Sequence, residues 1–181
     1  MEVTSVGSCF PNGIHCDRES NCEEKLIEEH YFIFAFENSA CRDYVTEKFW
    51  RLTWVAHFPL SSPPLHRNNI VPIVMRRALL TGIAPDSSFV AADDFESPKQ
   101  LAQFLLKASK DRKIYSKFFA LRKDHVFHDG YSGICDLCRD LTFNNVSTPA
   151  HFNIRNHYSQ AKCEPNAAVN ILNGIKVAPM I

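Results

Sequence analysis

The chain has 181 residues, of which 45% are hydrophobic, and its 20 basic residues are balanced by 20 acidic ones. This length and composition suffice for one globular domain with a core, and the absence of a basic excess argues against non-specific binding to nucleic acid or to a membrane surface. No apolar run approaches the roughly 20 residues that a membrane-spanning helix needs.

Residues 1–30 are polar, irregular and rich in cysteine, with a short helix predicted around Glu23–Glu29. Beyond them, strand patterns alternate with helix patterns. The predicted strands are Tyr31–Phe36, Ile70–Val74 and Phe89–Ala92; the predicted helices are Tyr44–Leu52, a segment starting after Ser97, and Arg112–Lys123. This alternation predicts an α/β fold with a Rossmann-like parallel sheet that is covered on both faces.

The helix after Ser97 has the clearest start signal in the chain. Ser97-Pro98-Lys99-Gln100 combines a capping box with proline at the first helical position. Its apolar stripe comprises Leu101, Phe104, Leu105 and Ala108. We therefore expect this helix to pack against the sheet.

The segment YFIFAFENSACRDYVTEK, residues 31–48, places a polar cluster where a strand passes into a helix. If the helix starts at Tyr44 with Asp43 as its N-cap, Tyr44, Glu47 and Lys48 share one face. A hydroxyl, a carboxylate and an ammonium near a helix N-terminus suit a phosphorylated ligand. The alternative is a solvated helix surface with an ordinary Glu and Lys.

The opposite face of this helix is apolar. Val45, Phe49 and Leu52 recur at the spacing of one helical face, which predicts packing on the sheet. The segment therefore reads as a helix with a buried back and a polar front.

Other charged groups receive simpler interpretations. Arg76-Arg77 and Lys110–Lys113 could face phosphates, but solvated surface is the expectation. Asp93-Asp94 reads as a turn at a strand end, not as a general base or a metal site, because a lone Asp pair is a weak metal signal.

The segment FAFENSACRDYVTEKFW resembles the signature of the α-1,3-fucosyltransferase family. Further segments resemble that family in the same order along the chain, over roughly residues 1–142. These segments are Val71–Val74, Ala84–Phe89, Asp93–Pro98 and Cys135–Cys138.

The resemblance implies the C-terminal half of a glycosyltransferase of the GT-B arrangement, in which two Rossmann-like halves face a cleft. It implies inverting transfer of L-fucose from GDP-fucose to a glycan that contains N-acetylglucosamine. In this interpretation Lys48 contacts the diphosphate, Glu47 holds fucose or ribose hydroxyls, and Asn38 and Tyr44 position the phosphates and the sugar. No catalytic residue is expected in this chain, because the general base belongs to an N-terminal domain that precedes it in the family, and no metal or cofactor is expected.

The resemblance also bears on the seven cysteines. Cys135 and Cys138 form a Cys-x-x-Cys, which is compatible with a zinc site, a redox site or a structural disulfide. The resemblance favours a short-loop disulfide between these two residues. The odd number of cysteines then leaves one thiol free, and Cys163 is the expected one.

Two segments depart from the family pattern. Thr53–Asn68 holds Pro59, Pro63 and Pro64, which forbid a continuous helix, and we expect an inserted loop at residues 53–68. The tail, residues 143–181, is divergent, lacks clear periodicity before Ala167–Leu172, and carries a possible glycosylation site at Asn145.

The expected organisation is therefore a lead-in at 1–30, a GDP-fucose-binding domain at 31–142, and the divergent tail. By resemblance the chain is a truncated form of a Golgi membrane protein whose anchor lies in a missing N-terminal part, with its domain on the lumenal side. The open alternatives are a nucleotide-sugar-binding remnant without turnover and a cysteine-rich binding module.

Overall fold

The computed structural model describes residues 2–7, 10–17, 21–54, 70–120, 132–143, 153, 155–156 and 162–175. Its centre is a parallel sheet of three strands in the order β1-β3-β4. These strands are β1 (Phe32–Phe34), β3 (Val71–Val74) and β4 (Val90–Ala91). The predicted α/β class is confirmed, and each predicted strand contains an observed one.

Side chains of the central strand alternate between the two faces of the sheet. Val71 and Ile73 belong to one buried cluster, which includes Leu101 and Leu105 from the helix after Ser97. Val74 belongs to a second cluster, in which it packs with Phe49. The sheet is therefore covered on both faces, which explains why all four residues of β3 are buried.

The described residues contain six α-helices with defined bounds and three short 3-10 helices at Arg77–Leu80, Asp86–Ser88 and Ala92–Asp94. The α-helices are α1 (Cys22–Glu29), α2 (Glu47–Trp54), α3 (Pro98–Lys110), α4 (Arg112–Lys117), α5 (Ser132–Thr142) and α6 (Ala167–Leu172). The start of α3 confirms the predicted cap, because Ser97 Oγ accepts a hydrogen bond of 3.3 Å from the N–H of Gln100. The helix α4 ends at Lys117, six residues before the predicted end at Lys123.

The start of α2 differs from the prediction. Asp43 adopts a left-handed conformation with φ of 59° and lies in a turn, and it is not the N-cap because the helix begins later in the chain. Instead the Thr46 carbonyl accepts the N–H of Trp50 at 3.3 Å, and the helix begins at Glu47. The helix extends to Trp54, so Thr53 and Trp54, the first two residues of the predicted loop, are helical.

Part of the tail belongs to the fold. A two-stranded antiparallel sheet pairs β2 (Ala40–Cys41) with β5 (Cys163–Glu164), and a disulfide joins Cys41 to Cys163 across it. The helix α6 follows, and its buried Ala167 packs with Ala40 and Met75. The prediction of a free Cys163 was therefore wrong.

The predicted disulfide between Cys135 and Cys138 was also wrong, since both thiols are free and exposed. Both residues lie on α5, where side chains three positions apart have Cβ atoms about 5–6 Å apart. A disulfide requires about 3.5–4.5 Å. The second disulfide within the described residues joins Cys16 to Cys22, beside the start of α1.

The described residues cover the remaining predictions only in part. None of the helices in the described ranges combines the length and apolar character that a bilayer crossing requires. Asn145, residues 55–68 and the predicted helical residues 121–123 lie outside the described residues.

Candidate functional site

The carboxyl ends of the three parallel strands bring charged residues to one edge of the sheet. Glu37 and Asn38 follow β1, Arg76 and Arg77 follow β3, and Asp93 and Asp94 follow β4. Ligands of open α/β sheets bind at this edge. The charged residues there form two clusters of different character.

The first cluster is centred on a carboxylate that the sequence analysis did not single out. Glu37 is buried, and its carboxylate accepts hydrogen bonds from the N–H and the hydroxyl of Thr46, each at 2.7 Å. A buried carboxylate needs such partners because its desolvation is costly. These bonds tie the residue that precedes α2 to the end of β1.

Lys48 completes the cluster from the first turn of α2. Its Nζ lies 3.7 Å from Glu37 Oε2, 3.5 Å from Glu47 Oε1 and 3.4 Å from Thr46 Oγ1. The Lys48 side chain is 33% exposed, so its ammonium is partly accessible from solvent. We call Glu37, Thr46, Glu47 and Lys48 the lysine cluster.

Glu47 is the most exposed member of the lysine cluster, with 72% of its side chain accessible. The hydrogen bond from its own backbone N–H lowers the pKa of Glu47, and Lys48 and Thr46 lower it further. This carboxylate is therefore ionised at neutral pH and free to accept hydrogen bonds from a ligand.

The other two predicted site residues lie beside the lysine cluster. Tyr44, in the turn before α2, lines with Glu37 a cavity of about 10 Å³, and Asn38 is exposed in the turn after β1. The predicted helical face of Tyr44, Glu47 and Lys48 was wrong, since Tyr44 precedes the helix. The four residues nevertheless lie in one strand-to-helix connection.

A larger cavity of about 700 Å³ opens along β1 and α3. It is lined mainly by apolar side chains, including Val3, Phe10, Ile33 and Leu105. Glu47 and Lys48 line neither this cavity nor the small one; Glu37, which lies 3.7 Å from Lys48 Nζ, lines the small one.

The second cluster is built around two arginines. Arg76 donates from Nε to Glu164 Oε2 at 2.8 Å and from Nη2 to Glu164 Oε1, and it also bonds the carbonyl of Ile175 at 3.2 Å. These bonds lower the pKa of Glu164, with a smaller contribution from Asn170. Arg76 and Glu164 are 5% and 4% exposed, so the expectation of a solvated Arg76 was wrong.

Arg77 forms the neighbouring half of this cluster. Its guanidinium binds both carboxylate oxygens of Asp94, at 3.0 and 2.6 Å, and lies over the Phe89 ring. The bond to Asp94 raises the pKa of Arg77. We call Arg76, Arg77, Asp93, Asp94 and Glu164 the arginine cluster.

Asp93 and Asp94 lie in a 3-10 turn, Ala92–Asp94, directly after β4, at the strand end where the sequence analysis placed them. Asp93 accepts the N–H of Arg77 at 2.9 Å, and its burial raises the pKa of its carboxyl group. The two carboxylates thus connect the ends of β3 and β4.

Comparison with known families decides the classification of this arrangement. The sequence model of glycosyltransferase family 10 (fucosyltransferase), C-terminal part, matches residues 1–157. The chain belongs to this family.

Three relatives illustrate how much of the chain is shared. Alpha-(1,3)-fucosyltransferase fut-1 of Caenorhabditis elegans is 33% identical over 150 residues, covering 77% of this chain and 31% of its own length. Glycoprotein 3-alpha-L-fucosyltransferase A of Drosophila melanogaster is 33% identical over 145 residues, covering 78% of this chain and 26% of its own. Human alpha-(1,3)-fucosyltransferase 7 is 35% identical over 124 residues, covering 66% of this chain and 32% of its own length. The chain thus matches about a third or less of each relative.

Within this family-10 domain, sequence reasoning missed Glu37 and Thr46. A signal was present for each: an acidic residue directly after the predicted strand Tyr31–Phe36, and a hydroxyl residue directly before a helix. The pairing of the two residues needs the tertiary fold, since they are nine positions apart.

Proposed function

We propose that this chain is the donor-binding part of an α-1,3-fucosyltransferase. It takes GDP-fucose as donor and contributes to the transfer of L-fucose, with inversion, to an N-acetylglucosamine-containing glycan of a glycoprotein. The observation that carries the proposal is the position of Lys48, a partly accessible ammonium at the carboxyl edge of the sheet, inside the segment matched by family 10. A phosphate-binding cation is expected at this edge.

Each residue of the proposed site has a chemical role. Lys48 binds the diphosphate and stabilises the negative charge that grows as GDP departs. Glu47 accepts hydrogen bonds from fucose or ribose hydroxyls, for which its exposure and ionised state suit it. Asn38 and Tyr44 position the phosphates and the sugar.

The reaction replaces one C1–O bond of fucose by another. The acceptor hydroxyl attacks C1 from the face opposite the diphosphate, while the bond from C1 to the β-phosphate oxygen breaks and GDP leaves with its electron pair. The acceptor's proton passes to a general base. We place that base outside this chain, in the acceptor-side half of a GT-B enzyme.

The same proposal covers the setting of the enzyme. Its domain works on the lumenal side of the Golgi membrane, held there by an anchor outside this chain. It requires no metal, because Lys48 supplies the positive charge for the diphosphate.

The decisive experiment is a calorimetric titration of the chain with GDP, with and without EDTA. We expect saturable binding that EDTA does not change. Lys48→Ala should weaken it roughly 10- to 150-fold, the value of hydrogen bonds to charged groups, and Glu47→Ala about twofold to tenfold. Lys99→Ala, an exposed lysine in the first turn of α3, is the matched control and should leave the affinity unchanged.

Two results would contradict the proposal. One is the absence of saturable GDP binding by the folded chain, which would favour a binding module unrelated to nucleotides. The other is an equal loss of affinity in the Lys48 and Lys99 variants, which would remove the site from the start of α2.

A second candidate is donor binding without turnover by this chain alone. It is favoured by three carboxylates at the edge, Glu37, Asp94 and Glu164, which are each engaged by a hydroxyl or a basic side chain. Of the other two, Asp93 accepts the N–H of Arg77, and we assign Glu47 to the donor's hydroxyls. We expect little or no fucose transfer from radiolabelled GDP-fucose to an N-glycan acceptor. Robust turnover by the purified chain would place the general base within it.

A further inference from the structure

We propose that Glu37 is the positioning residue of the donor site, which holds Lys48 in the orientation that receives the diphosphate. This inference rests on the proposed function for the identity of the ligand. It begins from the burial of Glu37, whose side chain is 7% exposed although it carries a carboxylate.

Both oxygens of Glu37 are committed to one short segment of the chain. Oε1 accepts the N–H of Thr46 and Oε2 accepts its hydroxyl, both at 2.7 Å, while Lys48 Nζ lies 3.7 Å from Oε2. All three partners come from residues 46–48, where α2 begins. Glu37 therefore fixes the start of α2 against the end of β1.

Two other oxygens lie nearer to Lys48 Nζ than Glu37 does, but one of them, Thr46 Oγ1 at 3.4 Å, is itself bonded to Glu37. Glu47 is mostly exposed, and its oxygen lies 3.5 Å from Nζ. Lysine has a flexible stem with many rotamers, so an ammonium that is already held in place loses less conformational entropy when a phosphate binds. Glu37 is the buried partner that can provide this restraint.

The same contacts argue against a direct role for Glu37 in binding the diphosphate or in acting as the general base. A carboxylate that contacts a diphosphate would repel it, and a general base needs an oxygen that is available to the acceptor hydroxyl. The oxygens of Glu37 face Thr46 and Lys48, so Glu37 acts through Lys48.

The first test needs no nucleotide. The chain and its Glu37→Gln variant are acetylated with limiting acetic anhydride, and the modification of each lysine is followed by peptide mass spectrometry. We expect Lys48 to react at least about threefold faster in Glu37→Gln, because loss of the ion pair makes its side chain more mobile and more accessible. The reactivity of Lys107 and Lys110 on α3 serves as the internal reference.

Two further variants make this test specific. Asp94→Asn is a matched acid-to-amide change in the arginine cluster, and it should leave the reactivity of Lys48 unchanged. Thr46→Val removes the hydroxyl that bonds Glu37 Oε2 and also lies 3.4 Å from Lys48 Nζ, and it should raise that reactivity less than Glu37→Gln does. It carries the test if Glu37→Gln does not fold. Unchanged reactivity of Lys48 in folded Glu37→Gln or Thr46→Val would overturn the proposal.

The second test is a double-mutant cycle on GDP affinity. Glu37→Gln should weaken GDP binding roughly tenfold when Lys48 is present, and less than about twofold in a Lys48→Met background. Equal losses in both backgrounds would show that Glu37 acts on the fold and not through Lys48. If the wild-type chain binds no GDP, the proposed function fails, and the acetylation test still decides whether Glu37 holds Lys48.

Discussion

The lysine cluster and the arginine cluster lie at the same edge of the sheet and differ in the burial of their cations. Arg76 and Glu164 are both about 95% buried and are joined through two donors, whereas Lys48 is one-third exposed and only its partner Glu37 is buried. A buried pair with several hydrogen bonds cannot exchange a partner for a ligand without leaving a charge unpaired. A partly exposed lysine can add a ligand while it keeps its buried partner, so we propose that the lysine cluster binds the ligand and that the arginine cluster stabilises the fold.

The largest effect is expected when the disulfide between Cys41 and Cys163 is removed, because this bond fixes β5, the strand that carries Glu164. We expect Cys41→Ser combined with Cys163→Ser to lower the free energy of unfolding by about 4–5 kcal/mol, because the two cysteines are 122 positions apart. Urea denaturation, followed by circular dichroism, measures this change.

The disulfide at the other end of the chain provides the matched control. Cys16 and Cys22 are six positions apart, and their replacement by serine should cost only about 2 kcal/mol. If the two double variants were destabilised equally, the Cys41–Cys163 bond would not be what holds the tail against the rest of the domain.

A second test removes the buried cation. Arg76→Ala should destabilise the domain by about 3–5 kcal/mol, because it leaves Glu164 buried without its partner. Arg77→Ala should cost about 1 kcal/mol, since its ion pair with Asp94 is far more exposed.

The readout that sharpens the comparison is GDP affinity, measured at a temperature where the variants are folded. Arg76→Ala should reduce the stability of the domain and leave the GDP affinity within about twofold. Lys48→Ala should reduce the GDP affinity and leave the stability nearly unchanged. A large loss of GDP affinity in folded Arg76→Ala would place the arginine cluster in the binding site.

The smallest effect concerns pH. Since Arg76 holds the pKa of Glu164 below its ordinary value of 4.5, Glu164 contributes stability at neutral pH that is lost as pH falls below about 4.5. Glu164→Gln should flatten this part of the stability profile, measured by urea denaturation between pH 3.5 and 7.

Asp93 provides a control of opposite sign. Burial raises the pKa of Asp93 above the ordinary 3.8, so the folded state binds this proton more tightly than the unfolded state does. The contribution of Asp93 to the stability of the domain therefore increases as pH falls. Asp93→Asn should therefore steepen the acid loss that Glu164→Gln flattens. A change of slope in the same direction for both variants would contradict these assignments.

The elements with strong local signals were predicted correctly. The helix α3 has its cap, its proline and its apolar stripe within a dozen residues, and its prediction needed no tertiary information. The start of α2 was placed three residues early, because Asp43 is a plausible cap by residue type and only the fold shows that it occupies a left-handed turn.

Two predictions failed because they depended on distant partners. Cys163 was predicted to be a free thiol and Arg76 to lie on the solvated surface, whereas Cys163 forms a disulfide with Cys41 and Arg76 is buried against Glu164. The Cys-x-x-Cys failed for a local reason: its placement inside the helix α5 separates the two thiols.

The sequence by itself determined the α/β pattern, the family, and the segment in which Lys48, Glu47, Tyr44 and Asn38 lie, since these follow from periodicity and from a contiguous motif. The tertiary structure decided which charges are partners. Glu37 takes Thr46 and Lys48, and Glu164 takes Arg76, because desolvation forces each buried carboxylate to find donors that only the folded chain brings within reach.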